Sequence, residues 1–234
     1  MNLVTIFTSS YNDEIMLPFN LKWYKERFPD SRIVVLDNKS TDKSVQVALD
    51  YGCESVVFDS NDQLPIEIGQ WIKNNTWKRA TTDWVIFIDC DEFLDISEND
   101  LEKEHEFGAT FIKTCGWDVV NLKDDLDIEN MNWGRKNYFF NKLVCFKKSQ
   151  ITEINYDIGA HTSRPVGILN PSKETYNLLH KHFVNVDYVH EKYKRNYDRL
   201  SEEHRQKGWG VHYKKDRETI AKEFAKLRGL GQKI

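Results

Sequence analysis

The chain has 234 residues, 40% of them hydrophobic, enough to bury one sizeable core within a single domain. Its net charge is −4 with acidic and basic residues mixed along its length, so no basic field points to nucleic acid. The N-terminus lacks the basic leader and long apolar region of a signal peptide, and no later run is apolar over about eighteen residues, which predicts a soluble protein that stays in the cytoplasm.

Along the chain, the first half alternates β-type runs with amphipathic helical ones, the signature of a parallel sheet covered by helices. Leu3 to Thr8 is the first predicted strand. Pro18 suits a first helical turn, and Leu17, Leu21, Tyr24 and Phe28 recur at helical steps until Pro29 ends the run. Arg32 to Asp37 is a second strand ending in an acid, after which Ser40 or Thr41 is placed to cap a helix reaching about Tyr51. Ser55 to Phe58 follows as a strand and Pro65 to Arg79 as a helix. Trp84 to Asp89 is a near-continuous apolar run of the kind found in a central buried strand.

Beyond Asp100 the rhythm changes. Strand-like pieces near Ala109 to Thr114, Lys142 to Lys147 and Gln150 to Asn155 lack crossover helices, which predicts a mixed or antiparallel second half. The tail is helical, with Val186, Val189, Tyr193, Tyr197 and Leu200 at helical steps, then Ile220, Phe224 and Leu227 after a Gly-Trp-Gly break at 208 to 210. The four cysteines, Cys53, Cys90, Cys115 and Cys145, stand apart without paired metal-ligand spacing and read as reduced thiols.

Open α/β sheets bind ligands beyond the carboxyl ends of their strands, which draws attention to Asp37 and Asp89. In extended chain, residues two apart share a side, so Asp89 and Asp91 can converge on one ligand while Cys90 turns into the core. Two such carboxylates form a hard oxygen site for Mg²⁺ or Mn²⁺ that also accepts phosphate oxygens. The plain alternative is that Asp-Cys-Asp-Glu only opens a loop before a helix capped near Ser97. Three acids within four residues at the end of an apolar strand favour the metal site, because they repel unless neutralised.

Four stretches then resemble glycosyltransferases of the GT-A fold, in the family-2-like group. They are Val-Thr-Ile-Phe-Thr-Ser-Ser-Tyr-Asn-Asp-Glu at the start, Val-Leu-Asp-Asn-Lys-Ser-Thr-Asp-Lys-Ser at 35 to 44, Trp-Val-Ile-Phe-Ile-Asp-Cys-Asp-Glu-Phe at 84 to 93, and Ile-Gly-Ala-His at 158 to 161. The resemblance implies an α/β fold with a nucleotide-binding half over 1–95, an acceptor and metal half over 96–185 and a helical extension over 186–234. It implies a nucleoside-diphosphate sugar donor, UDP-linked by expectation, a hydroxyl acceptor such as a glycan, and an inverting outcome. Asn12 and Asp13 would line the nucleotide pocket, Asp37 would contact the base or ribose, and Asp89 would sit near ribose and metal. Asp91 would be the main ligand of the divalent ion and the first residue of catalysis.

His161 would complete the metal shell, with His180 and His182 as rivals because alternation puts both on one strand face. The general base is not marked by the Glu-Asp pair many such enzymes carry. Asp157 is the choice, with Asp118 and Glu153 as alternatives. Lys142 would be a diphosphate contact, and Lys192, Arg195 and Arg199 share a helical stripe that would serve either the diphosphate or solvent. Trp117, Trp133, Tyr138, Phe139 and Phe140 would line an acceptor wall or the core. Two rival readings are a sugar nucleotidyltransferase, which the lack of glycine and lysine after the first strand disfavours, and a non-catalytic carbohydrate-binding module of the same fold.

Overall fold

A computed structural model describes residues 3–234. Strands β1 (Val4–Ser10), β2 (Arg32–Asp37), β3 (Glu54–Val57) and β4 (Trp84–Asp89) form a parallel sheet in the order β3-β2-β1-β4. Helices α1 (Leu17–Arg27), α2 (Ser44–Asp50) and α3 (Ile66–Asn75) connect them. Both faces of the sheet are covered, which explains why its strands read as apolar runs. On one face Val4, Ile6, Ile33, Val35, Trp84, Ile86 and Ile88 pack on Leu17, Leu21 and Tyr24 of α1 and Ala48 of α2. On the other, Phe7, Val34, Leu36, Val85 and Phe87 pack with Ile72 of α3 and with Trp77. The expected helix from Pro65 to Arg79 is α3 followed by a 3₁₀ turn over Thr76–Arg79.

Ser40 and Thr41 do not cap α2, which starts at Ser44 without a side-chain cap. They bond instead to the loop after β1. Ser40 Oγ accepts Asn12 N–H at 2.9 Å and the Thr41 N–H reaches Asn12 Oδ1 at 2.7 Å. The two loops at the carboxyl edge are thereby laced together.

The second half is mixed, as the changed rhythm predicts. After β5 (Glu92–Leu94) comes α4 (Glu98–Phe107), whose N-cap Ser97 forms a reciprocal capping box with Asp100. Strands β6 (Phe111–Val120), β7 (Trp133–Lys136) and β8 (Cys145–Lys147) extend the sheet beyond β4 with antiparallel pairings. Strands β9 (Ile151–Glu153) and β10 (Val166–Gly167) form a separate hairpin. The 13-residue strand β11 (Pro171–Phe183) runs parallel to β6 and antiparallel to β5. Helices α5 (Val186–Asp198), α6 (Glu202–Gln206) and α7 (Arg217–Leu230) follow, then a short edge strand β12 (Gln232–Lys233) on β7. Val189 and Tyr193 of α5 and Ile220 and Phe224 of α7 dock on Val120, so the helical tail closes over the carboxyl edge of the sheet.

All four cysteines are free thiols, and Cys53, Cys90 and Cys145 are buried. Among the described residues no helix is long and apolar enough to cross a membrane.

Candidate active site

A cavity of about 770 Å³ opens at the carboxyl edge of β1, β2 and β4, within the size range of small-ligand sites. Its floor is the Asp-Cys-Asp-Glu segment. Asp89 ends β4 and accepts two hydrogen bonds from Lys73 of α3, at 2.6 and 2.8 Å, while Lys142 stands 3.5 Å away. Burial opposes ionisation of Asp89, but the two ammonium groups outweigh it and hold the carboxyl below the usual range. Glu92 turns inward, accepts the Asp89 N–H at 3.1 Å and pairs with Lys142; the two side chains are only 2% and 4% exposed.

Asp91 Oδ2 is a meeting point. Lys192 Nζ lies 2.9 Å from it, and His180 Nε2 and His182 Nδ1 each lie 3.5 Å from it. The register of β11 builds this cluster, because His180 stands opposite Glu92 on β5 and opposite Asp118 on β6. The second nitrogen of His180 bonds Asp118 Oδ1 at 3.1 Å, and Asn137 donates to Asp118 Oδ2 at 2.7 Å. Despite burial, Asp91 and Asp118 push the His180 pKa up to about 9. Burial takes His182 down to about 4. Phe140 stacks on His180 with ring centroids 3.9 Å apart.

Residues 5–107 match the model of the glycosyl transferase family 2. A fragment of TarS from S. aureus, solved with UDP, superposes with a TM-score of 0.52 at 13% identity, covering 95% of this chain and 70% of that one. The chain thus shares its fold with the TarS fragment and carries a family-2 glycosyltransferase match over residues 5–107. The same TarS fragment with UDP-GlcNAc gives a TM-score of 0.45 at 14% identity, with 95% of this chain and 71% of that chain covered. Glucosyl-3-phosphoglycerate synthase from Mycobacterium tuberculosis, solved with Mg²⁺ and UDP, gives 0.36 at 17% identity over 49% of this chain and 44% of that chain. No curated protein sequence matches this chain.

The expected site residues fall in several places. Asp13, Asp89, Asp91, Lys142 and His161 line the cavity. The three groups placed to hold an ion are, however, Asp91, His180 and His182, whose ligand atoms lie within 4.8 Å of one another. His161 stands apart from it, with Nδ1 3.2 Å from the Phe139 carbonyl, and burial and Lys142 lower its pKa to about 4. Asn12 belongs to the loop lacing, with φ +50° and its side chain turned to Thr41 and Asp42, and it borders a smaller neighbouring cleft. Asp37 is 0% exposed and accepts the Ser40 N–H at 2.8 Å, while its neighbour Asn38 reaches the cavity wall.

Asp157 lies outside the cavity. It accepts from Thr162 and Arg164, and these bonds lower its pKa. Asp118 is the acid of that half which the cavity wall presents. Lys192, Arg195 and Arg199 face the cavity rather than open solvent, and the Arg199 guanidinium lies 3.3 Å from the Tyr11 ring centroid. Trp117 and Phe140 are buried, whereas Tyr138 and Phe139 are 79% and 69% exposed.

Lys73 was not singled out from the sequence. Its signal was available, since Ile66, Gly69, Gln70 and Lys73 fall at helical spacing and line the cavity as one stripe.

The donors fit a divalent ion. Two imidazoles and a carboxylate converge, and the buried His182 Nε2 has no hydrogen-bond partner among the described residues. Imidazole nitrogen suits Mn²⁺ better than Mg²⁺, which prefers oxygen and retained water.

Proposed function

We propose that this chain is a glycosyltransferase that depends on a divalent ion and moves a sugar from a UDP-sugar to a hydroxyl acceptor with inversion. The observation that carries the reading is the convergence of Asp91, two residues from Asp89, with His180 and His182 in a cavity whose wall supplies Lys73, Lys142 and Lys192. Each of these lysines already pairs with a carboxylate, so a bound diphosphate calls for further positive charge. Asp91 and His182, oriented together with His180, would hold the ion. A bound ion would supply positive charge to neutralise a departing diphosphate.

The chain's own residues do the remaining work. Lys73 and Lys142 keep Asp89 ionised and fixed, Asp118 sets the ring of His180, and Phe140 excludes water from its face. Asn38, Tyr11 and Arg199 offer polar and flat surfaces to a nucleoside. UDP is favoured as the nucleotide because the TarS fragment of the same fold was solved with it.

Calorimetry with UDP, and GDP as a control, tests the reading. UDP should bind tightly only with Mn²⁺, and Asp91→Ala should remove that dependence. Equal UDP affinity with and without Mn²⁺, or an unchanged Mn²⁺ dependence in Asp91→Ala, would overturn the metal assignment.

A further inference from the structure

We propose that Lys192 and Asp13 form a switch that regulates the ion site: Lys192 competes with the divalent ion for Asp91, and Asp13 receives the displaced ammonium. This rests on the metal reading above. It concerns two residues outside the ligand set.

The first observation is the shared atom. Lys192 Nζ is 2.9 Å from Asp91 Oδ2, the oxygen that also faces His180 and His182. An ammonium has donors only and cannot join a coordination shell, and a divalent cation on the same oxygen would stand beside it as a like charge in a buried setting. The two compete for Asp91 Oδ2, and an ion bound there favours withdrawal of Lys192.

The second observation is the vacant acceptor. Asp13 is buried, and its Oδ2 accepts the Tyr11 N–H at 3.2 Å, but Oδ1 takes no hydrogen bond from the described residues. Its nearest ion pair is with Arg195 Nη2, at 3.7 Å. The Tyr188 hydroxyl is likewise buried without a partner.

The third observation is room. Lys192, Asp13 and Arg195 line both the main cavity and the adjoining cleft of about 530 Å³, which Tyr188 also lines. The lysine stem therefore stands in a partition with space on either side. A swing from Asp91 to Asp13 Oδ1 exchanges one buried carboxylate partner for another, so the charge is never left alone.

The test is Mn²⁺ titration of the full chain, by calorimetry or by loss of the free Mn²⁺ electron-resonance signal, without nucleotide. Lys192→Met should bind Mn²⁺ about tenfold more tightly than wild type, the scale of one charge-assisted contact. Asp13→Asn should bind it several-fold more weakly, although Asp13 is not a ligand. In the Lys192→Met background, Asp13→Asn should have no further effect, because no ammonium needs a new partner.

Equal weakening by Asp13→Asn in both backgrounds would reduce Asp13 to a distant charge and overturn the switch. So would Mn²⁺ affinity in Lys192→Met no greater than in wild type. Melting curves check folding, and Lys192→Gln serves if the methionine variant is unstable. Mn²⁺ binding that ignores Asp91→Asn would overturn the metal reading together with the switch, a result distinct from either failure above.

Discussion

Replacing Lys142 by methionine removes one half of a buried ion pair while keeping the length of the side chain. Lys142 and Glu92 are 4% and 2% exposed, and Lys142 also stands 3.5 Å from Asp89. Their attraction is therefore little screened by water. Taking the ammonium away leaves the Glu92 carboxyl buried without its counter-charge, with the Asp89 N–H the remaining hydrogen-bond partner of that carboxyl among the described residues. Orphaning one partner of a buried pair costs about 3 to 5 kcal/mol, a large share of a typical stability of about 5 to 15 kcal/mol. For a chain of this size each kcal/mol moves the melting temperature by about 2 to 4 °C, so Lys142→Met should melt about 6 to 20 °C lower. The double variant Lys142→Met/Glu92→Gln should recover much of the loss, since no unpaired charge remains. Differential scanning calorimetry at pH 7 measures both. A drop under about 2 °C for the single variant, or a double variant as unstable as the sum of its parts, would refute the account of Lys142 as the internal counter-charge of Glu92.

Three further outcomes are expected. His182→Ala should abolish Mn²⁺ binding while His161→Ala keeps it, and the reverse result in calorimetry would return the ligand role to His161. Asp118→Asn should lower Mn²⁺ affinity about 10- to 100-fold through the orientation of His180, while Asp157→Asn should change neither affinity nor turnover; equal effects of the two would remove the case for Asp118. His180 is raised to about 9, so at pH 7 it carries a proton that must leave if the ring is to ligate an ion. Mn²⁺ affinity should therefore increase as pH rises from 7 to 9, and titrations in buffers of different ionisation enthalpy should show proton release. A flat profile would mean that His180 stays outside the ligand set.

The fold was legible where both faces of a strand are buried, as in Trp84 to Ile88, because apolar character then survives on every residue. It was less legible in β11, where Glu174, Asn177 and the His-Lys-His run mix polar groups with Leu178 and Leu179 and blur the strand's limits. Alternation did put His180 and His182 on one face. Their proximity to Asp91 depends on pairing with β5, a contact between residues about ninety positions apart that no local pattern reveals. Asp37 shows the opposite limit. A strand-terminal acid can turn outward to a ligand or inward to the loop, and capture of the Ser40 N–H decides for the interior. Just before His161, Gly159 takes φ +78°. Its turn delivers the ring to the Phe139 carbonyl and not to the ion cluster.

The central residue of the His-Lys-His run gives β11 a built-in parity check. Lys181 points away from the cavity, donates to the carbonyls of Ile128 and Glu129, and lies over the rings of Trp23 and Phe93. Strand faces alternate with period two, so a slip of one residue would carry Lys181 into the cation-rich cavity and drive both imidazoles against aromatic rings. A slip of two would keep the faces but part His180 from Asp118. Only one pairing satisfies both sides, and the deletion of a single residue within β11 should be more damaging than most substitutions along it.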